Sequence, residues 1–313
     1  MPIVSVIIPN YNHAAYLTQR INSVLDQSFQ DFEVIILDDC STDDSKVIIE
    51  QYRFHEKVSR IIYNKVNSGS PFEQWKKGVE AATGEWIWIA ESDDVAEKEF
   101  LHTVLENTKN DGNIVISYCA SWRIDKDGRR ETRLAWADDI SNRNWLADYK
   151  NEGLNEISTQ LFYKNVIANA SAVLFKKEAL DMEVFKFISN MRFAGDWLFW
   201  IKLLERGTIY YSAKILNNFR YHDNTTRNLK NASLEKQRFE EYFSVLNYLK
   251  NNHEVHWNYK KHKWMLYDWL DRYQLINEKA FLPLNLKFPF FYNMFLLHRF
   301  LKKKNLRCKA LSC

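Results

Sequence analysis

At 313 residues the chain has room for one large domain or two small ones, and 46% hydrophobic with 15% aromatic residues supplies a core, which excludes a disordered protein. A net charge of +3, from 43 Lys and Arg against 40 Asp and Glu, is too close to balance to argue for nucleic-acid binding. Cys40, Cys119, Cys308 and Cys313 show no CxxC spacing, which speaks against structural zinc and for a reduced compartment, the cytoplasm being the default.

The chain begins directly on a strand pattern, Pro2-Ile3-Val4-Ser5-Val6-Ile7-Ile8, without the basic and apolar regions of a signal peptide, and no apolar run reaches membrane-spanning length. Apolar runs at 3–8, 33–38, 60–63 and 86–90 alternate with segments of helical spacing. That alternation predicts an α/β fold with a mostly parallel, Rossmann-like central sheet flanked by crossover helices. Leu17, Ile21, Val24 and Leu25 repeat every three to four residues and mark the first helix. Ser41-Thr42-Asp43-Asp44, before Val47 and Ile48, reads as the capped start of another. Beyond 94 the pattern loosens into a helix near 97–109 and strands near 113–119 and 171–176. The polar stretch 125–155 reads as an irregular loop or lid. A helix opens at Asp196, short strand character returns over 208–221, and from about Ser233 the chain reads as helical and aromatic to its end. A soft boundary near 228 divides it into 1–228, the catalytic part, and 229–313, a helical aromatic and basic extension.

Three strand ends carry polar residues: Pro9-Asn10-Tyr11-Asn12, then Asp38-Asp39, then Glu91-Ser92-Asp93-Asp94. Ligands of open parallel sheets bind outside the carboxyl ends of the strands, so the three sets should converge on one crevice. The acidic tetrad follows the apolar run Trp86-Ile87-Trp88-Ile89-Ala90, and clustered acids repel unless a cation sits among them. A hard divalent ion such as Mg or Mn, which also holds a phosphate-bearing substrate, is the usual answer. The competing reading is a solvated acidic turn capping a helix near Val95. No G-x-G-x-x-G follows the first strand and no Walker-type G-x-x-x-x-G-K occurs, so phosphates would need the metal for neutralisation.

With these, Ser23-Val24-Leu25-Asp26-Gln27-Ser28-Phe29, Phe32 to Asp43 and Asn67-Ser68-Gly69 complete an ordered set that resembles family 2 glycosyltransferases of the GT-A fold over roughly residues 1–225. The resemblance implies a nucleotide-diphosphate sugar donor, with UDP the commonest nucleotide, and inversion at the anomeric carbon. It implies that Pro9 and Tyr11 line the base, that Asp39 hydrogen-bonds it, and that Asp93 is the metal ligand of a DxD motif with Asp94 a second acid. Ser92 stands where some members hold the ribose through Asp, and Glu91 where Asp is usual. Ala194-Gly195-Asp196-Trp197-Leu198-Phe199-Trp200 is similar to the family's E-D-W-x-x-W helix start, which makes Asp196 the general base; Gly195 replaces the commoner Glu. Arg220-Tyr221-His222 is similar to the Y-R-x-H segment, which brings His222 to the metal or diphosphate, with Arg220 or Arg227 as candidate phosphate partners.

The expected activity is metal-dependent transfer of a sugar to a hydroxyl of a glycan or lipid-linked acceptor in surface-polysaccharide assembly. The departures at Ser92 and Gly195 also suit a rival, a non-catalytic nucleotide-sugar-binding relative. Phe288 to Lys304 combines aromatic, aliphatic and basic groups, a composition that fits a helix on the inner membrane surface as well as it fits packing against the catalytic part.

Overall fold

The computed structural model describes residues 1–109, 111–140, 143–222 and 232–273. The Phe288–Lys304 segment and Arg227 lie outside the described residues. The first half runs β1 (Val4–Asn10), α1 (Ala14–Leu25), β2 (Phe32–Asp38), α2 (Ser45–Gln51), β3 (Val58–Tyr63), α3 (Pro71–Ala81), β4 (Trp86–Ile89), β5 (Val95–Ala96) and α4 (Phe100–Glu106). It continues with β6 (Ile114–Ile124), β7 (Arg130–Arg133), β8 (Tyr149–Glu152), α5 (Gly153–Glu156), β9 (Val173–Lys176), α6 (Val184–Ile188), α7 (Gly195–Leu204), β10 (Thr208–Arg220), α8 (Ala232–Asn252) and α9 (Tyr259–Tyr273).

The strands form one sheet in the order β3-β2-β1-β4-β9-β6-β10-β5, with β7 paired to β6 and β8 to β10. β1, β2, β3 and β4 pair in parallel, β6 pairs in parallel with β10, and β9 runs antiparallel between the two groups. The expected mostly parallel sheet is therefore present, and its strands β1, β2 and β4 are buried on both faces. Along β1, Val4, Val6 and Ile8 point into one core and Ile7 into the other; β4 sorts Trp86 and Trp88 from Ile87 and Ile89 in the same way. Strands covered on both sides read as unbroken apolar runs, which is why these were recognisable. Leu17, Ile21 and Val24 of α1 and Phe100, Leu101 and Val104 of α4 cover the first core; Phe72, Trp75 and Val79 of α3 cover the second together with Trp197 to Ile201 of α7.

Three expectations need correction. The stretch 125–155 contains β7 and β8, which pair with β6 and β10, so it is partly built into the sheet rather than a wholly irregular lid. The expected short strands over 208–221 are one 13-residue strand, Thr208–Arg220, broken by register shifts. No helix starts at Val95: Val95–Ala96 is a strand paired antiparallel with Asn217 and Asn218, and Ser92 and Asp94 are buried at 2% and 1% exposure, which rules out a solvated capping turn. Past 228, Phe239, Phe243, Val245, Leu246 and Leu249 of α8 and Met265 of α9 join the same core as α3 and α7. Among the described residues no helix is long and apolar enough to cross a membrane.

Candidate active site

The turn after β1 bends through Asn12 in the left-handed region (φ 54°), with the Asn12 side chain accepting from Thr42 N at 2.8 Å. Asp43 closes the same corner: Oδ2 accepts from Ala14 N at 2.9 Å, at the first residue of α1, and Oδ1 from Ser45 N at 3.0 Å, at the first residue of α2. Within the polar run 41–44 Asp43 is the capping residue, while Ser41 and Thr42 bond Asn10 and Asn12. Asn10 Nδ2 donates to Asp38 Oδ1 at 2.8 Å across the ends of β1 and β2. Asp39 accepts from Ser68 N (2.9 and 3.1 Å), from Ser68 Oγ (2.7 Å) and from Asn64 Nδ2, so it ties the loop 64–70 to the end of β2. Pro9 is buried in β1, and Tyr11, 47% exposed, stands beyond it on the surface.

The antiparallel pairing of Asn218 with Val95 determines what meets the acidic tetrad, because two residues beyond Asn218 lies Arg220 and two before Val95 lies Asp93. Arg220 N donates to Asp94 Oδ1 at 2.9 Å and Arg220 Nε to the Asp93 carbonyl at 2.7 Å. The rest of the guanidinium serves the carbonyls of Asp125 and Lys126 and the side chain of Gln19, and lies 4.7 Å over the Tyr16 ring. Expected as a phosphate partner, Arg220 instead clasps the turn 125–126 to the tetrad. His222 follows, its Nε2 3.0 Å from Asp93 Oδ2.

His13 completes this corner, a residue the motif reading passed over. Its Nδ1 lies 2.8 Å from Ser92 Oγ, and its ring meets that of His222 edge-on at 5.5 Å. Donor atoms of His13, Asp93 and His222 all lie within 4.8 Å of one another, which fits a divalent cation. Asp94, expected as a metal ligand, faces elsewhere: Oδ2 accepts from Asn169 Nδ2 at 2.9 Å and Oδ1 from Arg220 N. The buried Ser92 hydroxyl, expected at the ribose, is engaged by His13. His13 immediately follows the quoted Pro9–Asn12 run, so its place at the end of β1 was the available signal.

Electrostatics separate the three acids. Desolvation raises the Glu91 carboxyl to about 8, helped by the Asp93 charge, and Asp94 rises to about 6 for the same two reasons. Desolvation also acts to raise Asp93, but the hydrogen bond from His222 and the charges of His13 and His222 outweigh it, so this carboxyl titrates below its ordinary value. Arg20, fully buried 5.0 Å over the Trp88 ring, is the cation behind the cluster.

Glu91 accepts from Trp75 Nε1 at 2.9 Å. One turn earlier on α3, Phe72 packs on Gly195, where a Cβ would sit 2.4 Å from the Phe72 ring. The departure at Gly195 therefore has a packing cause. Asp196 lies in the first turn of α7, its Oδ2 accepting from Asn165 Nδ2 at 3.0 Å and its Oδ1 from Trp197 N at 2.8 Å; Trp136 Nε1 secures the Asn165 carbonyl at 2.7 Å. Glu241 of α8 anchors the approach to α7, accepting from the backbone N–H groups of Arg192, Phe193 and Ala194 at 2.9, 2.6 and 3.0 Å.

The carboxyl ends of the parallel strands thus gather one carboxylate and two imidazoles, and across α3 a further carboxylate stands at a helix start, the place where ligands of open parallel sheets bind. The profile of "Glycosyl transferase family 2" matches residues 5–180, and the chain belongs to that family. It is similar to the putative teichuronic acid biosynthesis glycosyltransferase TuaG of Bacillus subtilis, 28% identical over 239 residues that cover 76% of this chain and 86% of that protein. A β-1,3-glucosyltransferase of Campylobacter jejuni acting on GalNAc(5)-diNAcBac-PP-undecaprenol is 26% identical over 74% of this chain and 70% of its own. The poly(ribitol-phosphate) β-N-acetylglucosaminyltransferase TarS of Staphylococcus aureus is 41% identical over 101 residues, only 17% of its length. Its residues 1–349 in complex with UDP-GlcNAc superpose with a TM-score of 0.59 at 20% identity, covering 86% of this chain and 72% of that one, which establishes the shared GT-A fold. The mannosyltransferase PcManGT of Pyrobaculum calidifontis, in complex with GDP-Man and Mn2+, gives 0.52 at 11% identity, over 98% of this chain and 86% of that one.

Proposed function

We propose that the enzyme transfers a sugar, with inversion, from a nucleotide-diphosphate donor to a hydroxyl of a glycan or lipid-linked acceptor in cell-surface polysaccharide assembly, working at the inner face of a membrane. The observation that carries the reading is that one turn of α3 serves both halves of the site, Trp75 on Glu91 of the tetrad and Phe72 on Gly195 beside Asp196. Asp93 and His222 hold the divalent cation, Mn or Mg, which when bound screens the diphosphate and the charge that develops as it leaves. Pro9 and Tyr11 would line the nucleotide base and Asp39 would hydrogen-bond it. Asp196 takes the proton of the acceptor hydroxyl as that oxygen attacks the anomeric carbon, and Asn165 orients its carboxylate for the task. The relatives named for wall polymers and a lipid-linked glycan support the acceptor class. UDP is the first nucleotide to test and GDP the second, since the structural neighbours hold one each.

Titrating UDP and GDP calorimetrically, with Mn2+ and then with chelator, should give cation-dependent binding of one of them. Asp93→Ala should lose that binding, whereas Asp196→Ala should keep it and lose transfer. Full transfer by the Asp196 variant would remove the assigned base, and cation-independent binding would remove the metal. Donor hydrolysis or transfer separates this reading from the alternative, a non-catalytic nucleotide-sugar-binding relative.

A further inference from the structure

We infer that His13 is a third protein ligand of the cation, and that the resulting set of two imidazoles and one carboxylate makes the site select Mn2+ and its neighbours in the transition series over Mg2+. This rests on the metal-dependent reading above and adds to it a ligand and a selectivity.

His13 is the residue before α1, yet its ring makes no capping hydrogen bond. The open N–H of Ala14 is taken by Asp43 Oδ2, while Tyr16 N and Leu17 N both go to the His13 carbonyl. Helix capping therefore leaves the imidazole without a task, and it turns toward Asp93 and His222. A metal-bound histidine typically donates its other ring N–H to a fixed acceptor, which settles the tautomer and aims the remaining lone pair. Ser92 Oγ is placed for that at 2.8 Å from Nδ1, on a residue 2% exposed, and Nε2 is the nitrogen left to bind the ion. The Asp93 Oδ2 to His222 Nε2 separation of 3.0 Å fits two neighbouring donors on one ion, since bonds of about 2.1 Å at right angles put donor atoms about 3.0 Å apart.

The donor set then decides the ion. Mg2+ prefers oxygen and keeps its water, whereas imidazole nitrogen favours the later divalent metals, with affinity rising from Mn2+ through Co2+. Of the three protein donors here, two are nitrogens. Asp94, the oxygen donor that would have moved the balance toward Mg2+, is held by Asn169 and Arg220.

The test titrates the metal-free full chain with Mn2+, Co2+ or Mg2+ alone, following heat and, for Co2+, the visible spectrum, which responds to a change in coordination number or ligand set. The wild type should bind Mn2+ at least about tenfold more tightly than Mg2+. His13→Asn keeps a polar group for Ser92 but has no Nε2, and should weaken Mn2+ and Co2+ about tenfold or more, shift the Co2+ spectrum and change Mg2+ little; loss of even an outer-sphere partner costs about 10- to 100-fold. His13→Asp, which returns an oxygen donor, should keep binding but narrow the preference for Mn2+, and it decides the matter if the Asn variant melts early. Unchanged Mn2+ affinity and Co2+ spectrum in either variant that melts like the wild type overturns the role of His13; if Asp93→Ala still abolishes binding, the metal-dependent reading survives. A wild type that binds no cation overturns both.

Discussion

Gly195→Ala is a single added methyl with a computable obstruction. The Cβ would lie 2.4, 2.6 and 2.9 Å from Cε2, Cζ and Cδ2 of Phe72, against a carbon contact optimum of about 3.5–4.0 Å, so the ring must retreat by roughly 1 Å. It has little room to do so: Phe72 is 4% exposed and edge-on to Trp75 at 5.1 Å, and Trp75 packs in turn on Phe199 at 5.4 Å and Trp200 at 6.0 Å. Overpacking of this kind costs about 1–3 kcal/mol, while replacing a helical glycine returns at most about 1 kcal/mol. The net loss should reach up to about 2 kcal/mol, read as a fall of up to roughly 3 °C in melting temperature for a chain of this length. The strain should also reach Trp75 and its hydrogen bond to Glu91, so donor binding should weaken in parallel. In a Phe72→Leu background the obstruction is gone, and Gly195→Ala should become neutral or stabilising, a coupling of at least about 1 kcal/mol in a double-mutant cycle. A stabilising Gly195→Ala in the wild-type background, or two substitutions whose effects simply add, would refute the packing explanation for the glycine.

Glu241→Gln removes the charge that accepts three consecutive backbone N–H groups ahead of α7; because hydrogen bonds to a charged group contribute roughly 1.5–3 kcal/mol each and do not add fully, we expect at least about 2 kcal/mol of destabilisation, with faster amide exchange at 192–194. Unchanged exchange there would deny α8 that anchoring role. His262 of α9, 0% exposed, has its pKa lowered to about 4 by burial, against 6.5 when exposed. The folded state thus binds fewer protons than the unfolded chain between those values, and stability should fall by roughly 3 kcal/mol as pH drops from 6.5 to 4. His262→Gln should flatten that limb of the stability curve, and an unaltered limb would show that the histidine does not titrate this way. Asp94→Asn keeps an acceptor for Arg220 N but sets an amide against Asn169 Nδ2, so it should cost about 1–2 kcal/mol in denaturant melts while leaving Mn2+ affinity near the wild-type value. A loss of cation binding equal to that of Asp93→Asn would return Asp94 to the metal.

What the sequence revealed and what it hid follow the same physics. β1, β2 and β4 are covered on both faces and so carry their identity in their own composition. β7 is largely exposed and β8 alternates between half-buried and exposed residues; both are polar, and their pairing is set by β6 and β10 rather than by any pattern within them. Asp93 could be named because it lies just past a strand end, and His222 because its segment resembles the family's Y-R-x-H. The resemblance put both near the metal, but the contact that joins them was hidden, since it depends on the two-residue β5 pairing with β10 in a register that only the folded sheet defines. Glu241 was out of reach for a similar reason: a glutamate in a polar helix looks solvated until the helix docks, and here its partners are backbone groups, which leave no trace in side-chain composition.

The tetrad shows why a crevice rich in acids can still be buried. Three ionised carboxylates in four residues would repel at close range in a poorly solvated site, where the cations against them are Arg20, buried behind the cluster, and Arg220, whose Nε meets the Asp93 carbonyl. The fold resolves this by unequal treatment. Glu91 has one indole N–H and a carboxyl raised to about 8, which keeps it mostly neutral at pH 7; Asp94 is raised less, and two N–H donors occupy its oxygens. Asp93 alone faces two imidazoles and is held ionised. Negative charge is thereby concentrated on the carboxylate that points at His13 and His222, while its neighbours brace Trp75, Asn169 and Arg220. A spacing that reads as two metal-binding acids is, in three dimensions, one carboxylate facing two imidazoles and one strut, and substitutions at 93 and 94 should separate cation affinity from stability for that reason.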